Sequence, residues 1–135
     1  MQLHILHASN ESDFDAIFEN LIQLHADALV IGPDNLFSAH SEQLAALAVR
    51  HALPAVYEFR RFAAAGGLMS YGSSETEYYR LVGTYVGRVL KGDKPADLPV
   101  QQSTKVELII NLKTANALGI TVPLPLSGRA DELIE

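Results

Sequence analysis

The sequence has no cysteine and no tryptophan, and aromatic residues make up 7% of its 135 positions. Without cysteine, the chain has neither disulfide bonds nor a thiol nucleophile. The five histidines do not follow the spacing of a zinc motif, so we expect no metal site. The amino-terminal stretch lacks the basic region and long apolar core of a signal peptide. It therefore predicts a cytoplasmic protein or a chain whose export signal has been removed.

Positive charge and long apolar runs are also scarce. Ten Lys and Arg residues stand against sixteen Asp and Glu residues, and the formal net charge of -6 disfavours nucleic acid as a partner. No apolar run approaches the roughly 20 residues that a membrane-spanning helix needs. The G-x-S-x-G nucleophile elbow, the G-x-G-x-x-G fingerprint and the Walker lysine loop are all missing. We therefore expect neither an enzyme nor a cofactor.

What the sequence does contain is an alternation of short apolar segments and helical stripes. The apolar fraction of 48% and the charged fraction of 19% are typical of one globular domain. In the first sixty residues the predicted elements are a strand at Leu3–Ala8, a helix that begins at Ser9 or Ser12, a strand at Ala28–Ile31, a helix at Phe37–Ala52 and a strand at Ala55–Phe59. This βαβαβ order predicts an α/β fold with a three-layer, doubly wound and mostly parallel sheet.

The second half of the chain is predicted to add a long helix and two further strands. A short strand at Leu68–Tyr71 precedes the helix Ser74–Leu90, in which Glu77 is placed to complete a capping box. The segment Lys105–Asn111 alternates between apolar and polar residues, so we expect a strand at or near an edge of the sheet. A short helix at Thr114–Leu118 and an irregular tail follow.

Polar side chains follow the predicted strands, where an open parallel sheet binds its ligands. A carboxylate can hold an ammonium group, a hydroxyl or an amide can hold a carboxylate, and a tyrosine ring can stack on an apolar side chain. We therefore predict a site for a small zwitterion such as an amino acid. Its candidate residues are Asp34, Asn35, Tyr57, Glu58, Ser70 and Tyr71.

Two alternatives stay open for these residues. Asp34 or Asn35 can instead cap the next helix, because Asp and Asn are favoured at that position. Tyr57 and Tyr71 can be ordinary half-buried aromatic residues of a strand without a role in binding.

Four segments of the chain, in this order and spacing, are ADALVIGPDN, HALPAVYEF, AAAGGLMSYGSSETEYYRLVGTYVGRVLKGDKPADLPV and TKVELIINLKTANALGITVP. Together they resemble the carboxyl-terminal portion of an ABC-transporter substrate-binding protein. The resemblance is to the type that binds tryptophan or other aromatic amino acids. The resemblance implies a type I periplasmic binding fold, in which a ligand is clamped between two α/β lobes. It also implies a periplasmic location and an ABC permease as partner.

Carried over to this sequence, the resemblance makes residues 1–135 a single α/β lobe. Residues 73–99 would form a crossover helix and linker that packs on a first lobe. The loop Gly32–Asn35 would face the cleft, with Asp34 as the leading ligand contact and Asn35 beside it. The segment Gly67–Tyr71 would pass through the hinge, which makes Ser70 and Tyr71 weaker candidates.

The alternative to a transport role is an interaction module that has lost ligand binding and forms a dimer. The helix Ser74–Leu90 carries the apolar stripe Tyr78, Leu81, Val82, Tyr85, Val86 and Val89. Since a large bare apolar patch is rare on monomers, this stripe must fold back on the sheet or be covered by another chain. We expect a homodimer, with the Gly83/Gly87 face of the helix in the interface.

Overall fold

In the computed structural model, which describes residues 2–101 and 105–135, five short strands form one mixed sheet. The strands are β1 (Leu29–Ile31), β2 (Ala55–Tyr57), β3 (Met69–Ser73), β4 (Val106–Asn111) and β5 (Glu132–Ile134), and they lie side by side in that order. The pairs β1–β2, β2–β3 and β4–β5 are parallel, and β3–β4 is antiparallel. The predicted α/β fold with a mostly parallel sheet is confirmed.

Seven α-helices of the described residues flank the sheet. They are α1 (Phe14–Gln23), α2 (Asn35–Ala39), α3 (Ser41–Arg50), α4 (Arg60–Ala64), α5 (Glu75–Leu90), α6 (Leu112–Ala117) and α7 (Leu124–Ser127). Single 3-10 turns occur at Glu11–Asp13 and Pro95–Asp97. Within the described ranges, no helix has both the length and the apolar character needed to cross a membrane.

The hydrophobic core lies between β2 and the helices α1, α3 and α4. Phe14, Phe18 and Leu21 of α1 are buried, as the predicted helical stripe requires. Their burial favours folding by about 1.5–3 kcal/mol per large side chain. Tyr57 of β2 enters the same core and stacks on Phe62 of α4, with ring centroids 4.7 Å apart. The first sixty residues are therefore held together mainly by packing on one face of β2.

The predicted strand at Leu3–Ala8 is wrong, because this segment has no regular secondary structure. Among the described residues, β1 pairs with β2 alone, so the segment Leu3–Ala8 forms no strand pairing with β1. Leu6 and Ala8 pack against the core, whereas Leu3 and Ile5 are exposed. The segment lines an apolar cavity of about 250 Å3 together with residues of α1 and β1.

The predicted helix Phe37–Ala52 is in fact two helices, α2 and α3, which meet at His40. The backbone of His40 has φ -115° and ψ 30°, outside the helical region. Its ring Nδ1 lies 2.8 Å from the carbonyl oxygen of Leu36, which ties the side chain to the preceding helix. Helix α2 also starts two residues earlier than predicted, because Asp34 caps it.

The tail was expected to be irregular, and this prediction is wrong, because it contains α7 and the edge strand β5. Backbone N–H of Asp131 donates to the carbonyl of Leu108, and the Asp131 carboxylate accepts from the backbone N–H of Leu108, both at 2.8 Å. In β5, Glu132 accepts two hydrogen bonds from the guanidinium of Arg60. Strand β5 is thus held in place by contacts between residues far apart in sequence. Because β5 is the edge strand, β4 is the second strand from that edge.

Helix α5 has the predicted cap, since the Ser74 hydroxyl accepts a hydrogen bond from the backbone N–H of Glu77. The predicted capping box is incomplete, because the Glu77 carboxylate accepts hydrogen bonds from Arg80 and the Ser74 N–H donates to the carbonyl of Lys105. None of its sixteen residues is buried. Tyr78 is 54% exposed and Val86 is 51% exposed, so the apolar stripe does not fold back on the sheet. The hydroxyl of Tyr85 instead donates to the carbonyl of Pro99, which draws the following segment alongside the helix.

Candidate functional site

A groove of about 1180 Å3 lies between α5, the segment 95–101 and the ends of β2 and β3. Its long wall is apolar and consists of the stripe of α5 together with Pro95, Leu98, Pro99 and Val100. Its other end is polar and is lined by Asn35, Ser38, Glu58, Phe59, Arg61, Ser73 and Glu75. We call these seven residues the polar end of the groove. The volume exceeds that of most small-ligand pockets, so a small ligand would occupy only part of the groove.

Glu58 reaches the polar end because it follows β2 directly. Successive side chains of a strand point to opposite faces, and Tyr57 points into the core, so Glu58 points to the groove. Gly72 leaves the room that this requires. A Cβ at that position would lie 2.7 Å from Cγ of Glu58 and 2.4 Å from its carbonyl oxygen. The Glu58 side chain therefore lies directly over a glycine of the neighbouring strand.

The carboxylate of Glu58 is incompletely satisfied. Its Oε2 atom is buried and has no hydrogen-bond partner within residues 2–101 and 105–135. Burying part of a charged group without a partner is costly, and such a group in a native structure calls for an explanation. Because Oε2 itself is covered, a cation in the groove would lie beside the part of the Glu58 side chain that borders the groove and would offset its charge at short range.

The second carboxylate of the polar end, Glu75, is already paired. Arg61 of α4 makes two hydrogen bonds to it, one from Nε at 3.3 Å and a shorter one from the terminal nitrogen. The hydrogen bond that Arg61 donates to Glu75 raises the pKa of Arg61, so the guanidinium stays charged. The central carbon of the Arg61 guanidinium, Cζ, lies 5.8 Å from the ring centroid of Phe59. Two carboxylates and one guanidinium leave the polar end with an excess of negative charge.

Asp34 has the helix-capping role that the sequence left open as the alternative to ligand binding. Its Oδ1 accepts a hydrogen bond of 2.7 Å from the backbone N–H of Leu36, which caps α2. The residue is exposed and does not line the groove. Asn35, the first residue of α2, does line the groove, one turn before Ser38. Of the six predicted site residues, the structure thus brings Asn35 and Glu58 together.

The other predicted site residues lie away from the groove. Tyr57 is 2% exposed, and its burial raises the pKa of the phenol. Its hydroxyl has no hydrogen-bond partner in the described part of the chain. Ser70 pairs with Tyr57 across the sheet and is 1% exposed, whereas Tyr71 is 64% exposed. A role of these three residues in ligand binding stays a prediction.

Five residues of the polar end were not predicted from the sequence. Ser73 was missed because β3 extends two residues beyond the predicted strand. Arg61 was missed because the short helix α4 has too few residues for a recognisable stripe, whereas Phe59 was predicted as the last residue of a strand and was not assigned to the site. Ser38 and Glu75 lie on helices, and only the packing of those helices brings them to the strand ends. Among described residues, no three His, Asp or Glu side chains are grouped closely enough to hold a metal ion.

Comparison with known proteins assigns the chain, though not the groove, to a family. The profile of the family described as ABC transporter substrate binding protein matches residues 1–134. No curated protein sequence matches the chain significantly.

Several solved structures share the fold. A conserved domain protein from Vibrio cholerae has 24% sequence identity and a TM-score of 0.84, over 93% of this chain and 42% of that one. An ABC domain in complex with L-Trp from Streptococcus pneumonia has 24% identity and a TM-score of 0.87, over 97% and 44% of the two chains.

A ligand-free, open substrate binding protein with adhesive properties from Clostridium difficile has 20% identity and a TM-score of 0.60, over 90% and 41%. The chain thus spans less than half the length of each of these three proteins. At these identities the likeness establishes the fold alone. The match of the family profile over residues 1–134 goes further: this chain belongs to the ABC transporter substrate-binding protein family.

Proposed function

We propose that this chain is a solute-binding component of an ABC-type uptake transporter and binds a small molecule such as an amino acid without chemical reaction. The observation that carries the proposal is the polar end of the groove, where residues from α2, α4, α5, β3 and the end of β2 converge. The family consists of binding proteins rather than enzymes. A protein of similar fold holds L-Trp, which makes aromatic amino acids the first candidates.

We further propose that the chain forms one lobe of a two-lobed binding protein. Residues 73–99 would then cross to the other lobe and pack on it. The absence of buried residues in α5 supports this arrangement, because a helix with a six-residue apolar stripe needs a covering surface. Closure of the two lobes would trap the ligand against Glu58 and Asn35. An ABC permease and a periplasmic or extracellular location follow from the same proposal.

Isothermal titration calorimetry with the common amino acids, beginning with L-tryptophan, tests the binding role. We expect at least one of them to bind with a stoichiometry of one per chain. Because a single lobe supplies only part of the contacts, the titration must extend to millimolar ligand concentration. The absence of binding for the whole panel would contradict the proposal.

A second candidate function is an interaction module that forms a homodimer. The exposed stripe of α5 is the observation that favours it. The homodimer stays a prediction, supported by that exposure and by the general rarity of bare apolar patches. An exposed stripe is equally expected where a second lobe covers α5, so this candidate ranks below the transport role.

A further inference from the structure

We propose that Glu58 is the residue that selects the ligand, and that the groove takes an organic amine with an apolar body, for which a carboxylate is dispensable. This inference rests on the proposed solute-binding function and narrows it to a chemical class. An aromatic amino acid belongs to the class through its ammonium group and its ring. The corresponding amine without the carboxylate belongs to it equally.

The first step is the charge of the polar end. The only cation among its seven residues, Arg61, is engaged by Glu75 through two hydrogen bonds. A ligand carboxylate would therefore meet only the neutral donors of Asn35, Ser38 and Ser73, unless it displaced Glu75. A ligand ammonium group instead meets Glu58, whose Oε2 atom has no hydrogen-bond partner within the described residues.

The second step is the state of Glu58 before a ligand arrives. Its Oε2 atom is covered by protein and has no partner in the described part of the chain, while the side chain still borders the groove. The carboxylate is thus only partly hydrated, and a partly dehydrated charge interacts more strongly with a nearby opposite charge. The free protein tolerates this unfavourable burial, and an ammonium group in the groove would offset the charge by attraction at short range without contacting the covered Oε2 atom.

The third step is the surface next to Glu58. Phe59 lies beside it, and Tyr78 and Tyr79 of α5 line the same groove. The two tyrosine rings meet edge to face, with centroids 5.4 Å apart. Aromatic walls next to a carboxylate suit an ammonium ligand that carries an apolar or aromatic body. None of Phe59, Tyr78 and Tyr79 carries a positive charge for a ligand carboxylate.

The test compares three ligands that share one ring system: L-tryptophan, tryptamine and indole-3-propionate. A second set, L-leucine, isoamylamine and 4-methylpentanoate, covers the case of an aliphatic body. We expect the amino acid and the amine of at least one set to bind and the matching acid to bind at least about tenfold more weakly. Affinities are measured by calorimetry on the chain as it exists.

The matched variants are Glu58→Gln and Glu19→Gln, which remove the same charge. Glu19 lies exposed on α1 and does not line the groove. We expect Glu58→Gln to weaken amine binding roughly tenfold to a hundredfold, the range for a hydrogen bond to a charged group. Because it also removes a partly buried charge, it should raise the melting temperature of the free protein. Glu19→Gln should change neither quantity.

The outcomes separate this inference from the proposed function. If the amino acids bind and the acids bind as well as the amines, or if Glu58→Gln binds normally, the inference is wrong and the binding role stands. If none of the six compounds and no other amino acid binds, the proposed function fails and the inference fails with it. Lost binding in a Glu58→Gln protein with a lowered melting temperature would point to a structural role and would also overturn the inference.

Discussion

At the residue scale, alternation along β2 and two glycines decide which side chains reach the groove. Tyr57 and Glu58 are adjacent, yet one lies in the core and the other at the polar end. Gly67 accommodates the Tyr57 ring, since a Cβ there would lie 2.6 Å from its Cε2. Gly72 accommodates Glu58 in the same way. The position of Glu58 is therefore set by its neighbours as much as by its own strand.

Replacing Gly72 with alanine tests this close approach. The new Cβ would collide with the backbone of Glu58, which cannot move without shifting β2. Overpacking of this kind costs about 1–3 kcal/mol. We expect the free energy of unfolding of Gly72→Ala, measured by urea denaturation, to fall by that amount. An unchanged value would show that β2 and β3 are not held at this distance.

Asp34 allows its capping role to be separated from its predicted ligand role. Asp34→Ala removes the hydrogen bond to Leu36 and should lower the free energy of unfolding by about 1 kcal/mol. Asp34→Asn keeps a good cap and should leave stability almost unchanged. If Asp34 also contacts a ligand ammonium group, Asp34→Asn should weaken binding by roughly 1.5–3 kcal/mol. Unchanged affinity in calorimetry would remove Asp34 from the site.

At the element scale, the sequence predicted the elements that have a strong local signal. Helix α1 has a clear apolar stripe, and α5 begins after a capping serine. Strands β1 and β2 are short apolar runs, followed by Gly32 and by Glu58 respectively. The elements that were missed, α4, α7 and β5, are short, and β5 forms through contacts distant in sequence. The Arg60–Glu132 pair, which joins residues 72 positions apart, has no local signature. Only two of the six predicted site residues line the groove, because Asp34 caps α2 and because Tyr57 and Ser70 are buried.

The Arg60–Glu132 pair makes the attachment of β5 dependent on pH. The hydrogen bond from Arg60 lowers the pKa of Glu132 below its usual value of 4.5. A lowered pKa in the folded protein stabilises it above pH 4.5, and this contribution is lost as the pH falls through the lowered value. Both side chains are more than one-third exposed, so the contribution should stay below about 1 kcal/mol.

Urea denaturation of wild type and Glu132→Gln at several pH values checks this prediction. At pH 7 the variant should be the less stable of the two, and the difference should vanish in acid. Glu19→Gln, which removes an exposed carboxylate on α1, is the matched control and should show no such difference. A difference for Glu132→Gln that persists unchanged in acid would show that the ion pair is not its cause.

At the scale of the whole molecule, the exposed stripe of α5 needs a covering surface. Among residues 2–101 and 105–135, a Cβ at Gly83 or Gly87 would meet nothing within 4 Å. If nothing covers this face, Gly83→Ala should stabilise the chain by about 0.5–1 kcal/mol, because alanine is the better helix former. If a second copy packs closely on it, the same substitution should weaken the dimer.

Light scattering at micromolar concentration decides between these two cases. For the predicted homodimer we expect a mass of twice the 14.7 kDa of the chain, and a shift toward monomer in Gly83→Ala. A monomer that gains stability from Gly83→Ala would contradict the dimer. It would leave α5 available to a second lobe, as the transport role proposes.

The central claim is that the polar end of the groove holds a small amine-bearing solute. Its most direct test is an NMR titration of the nitrogen-15-labelled chain with L-tryptophan and tryptamine at millimolar concentration. We predict saturable shifts of the backbone amides of Asn35, Ser38, Phe59 and Ser73, and smaller shifts for Glu58→Gln at equal ligand concentration. Saturable shifts confined to residues elsewhere, such as Leu6 and Ile17 at the apolar cavity, would contradict the claim.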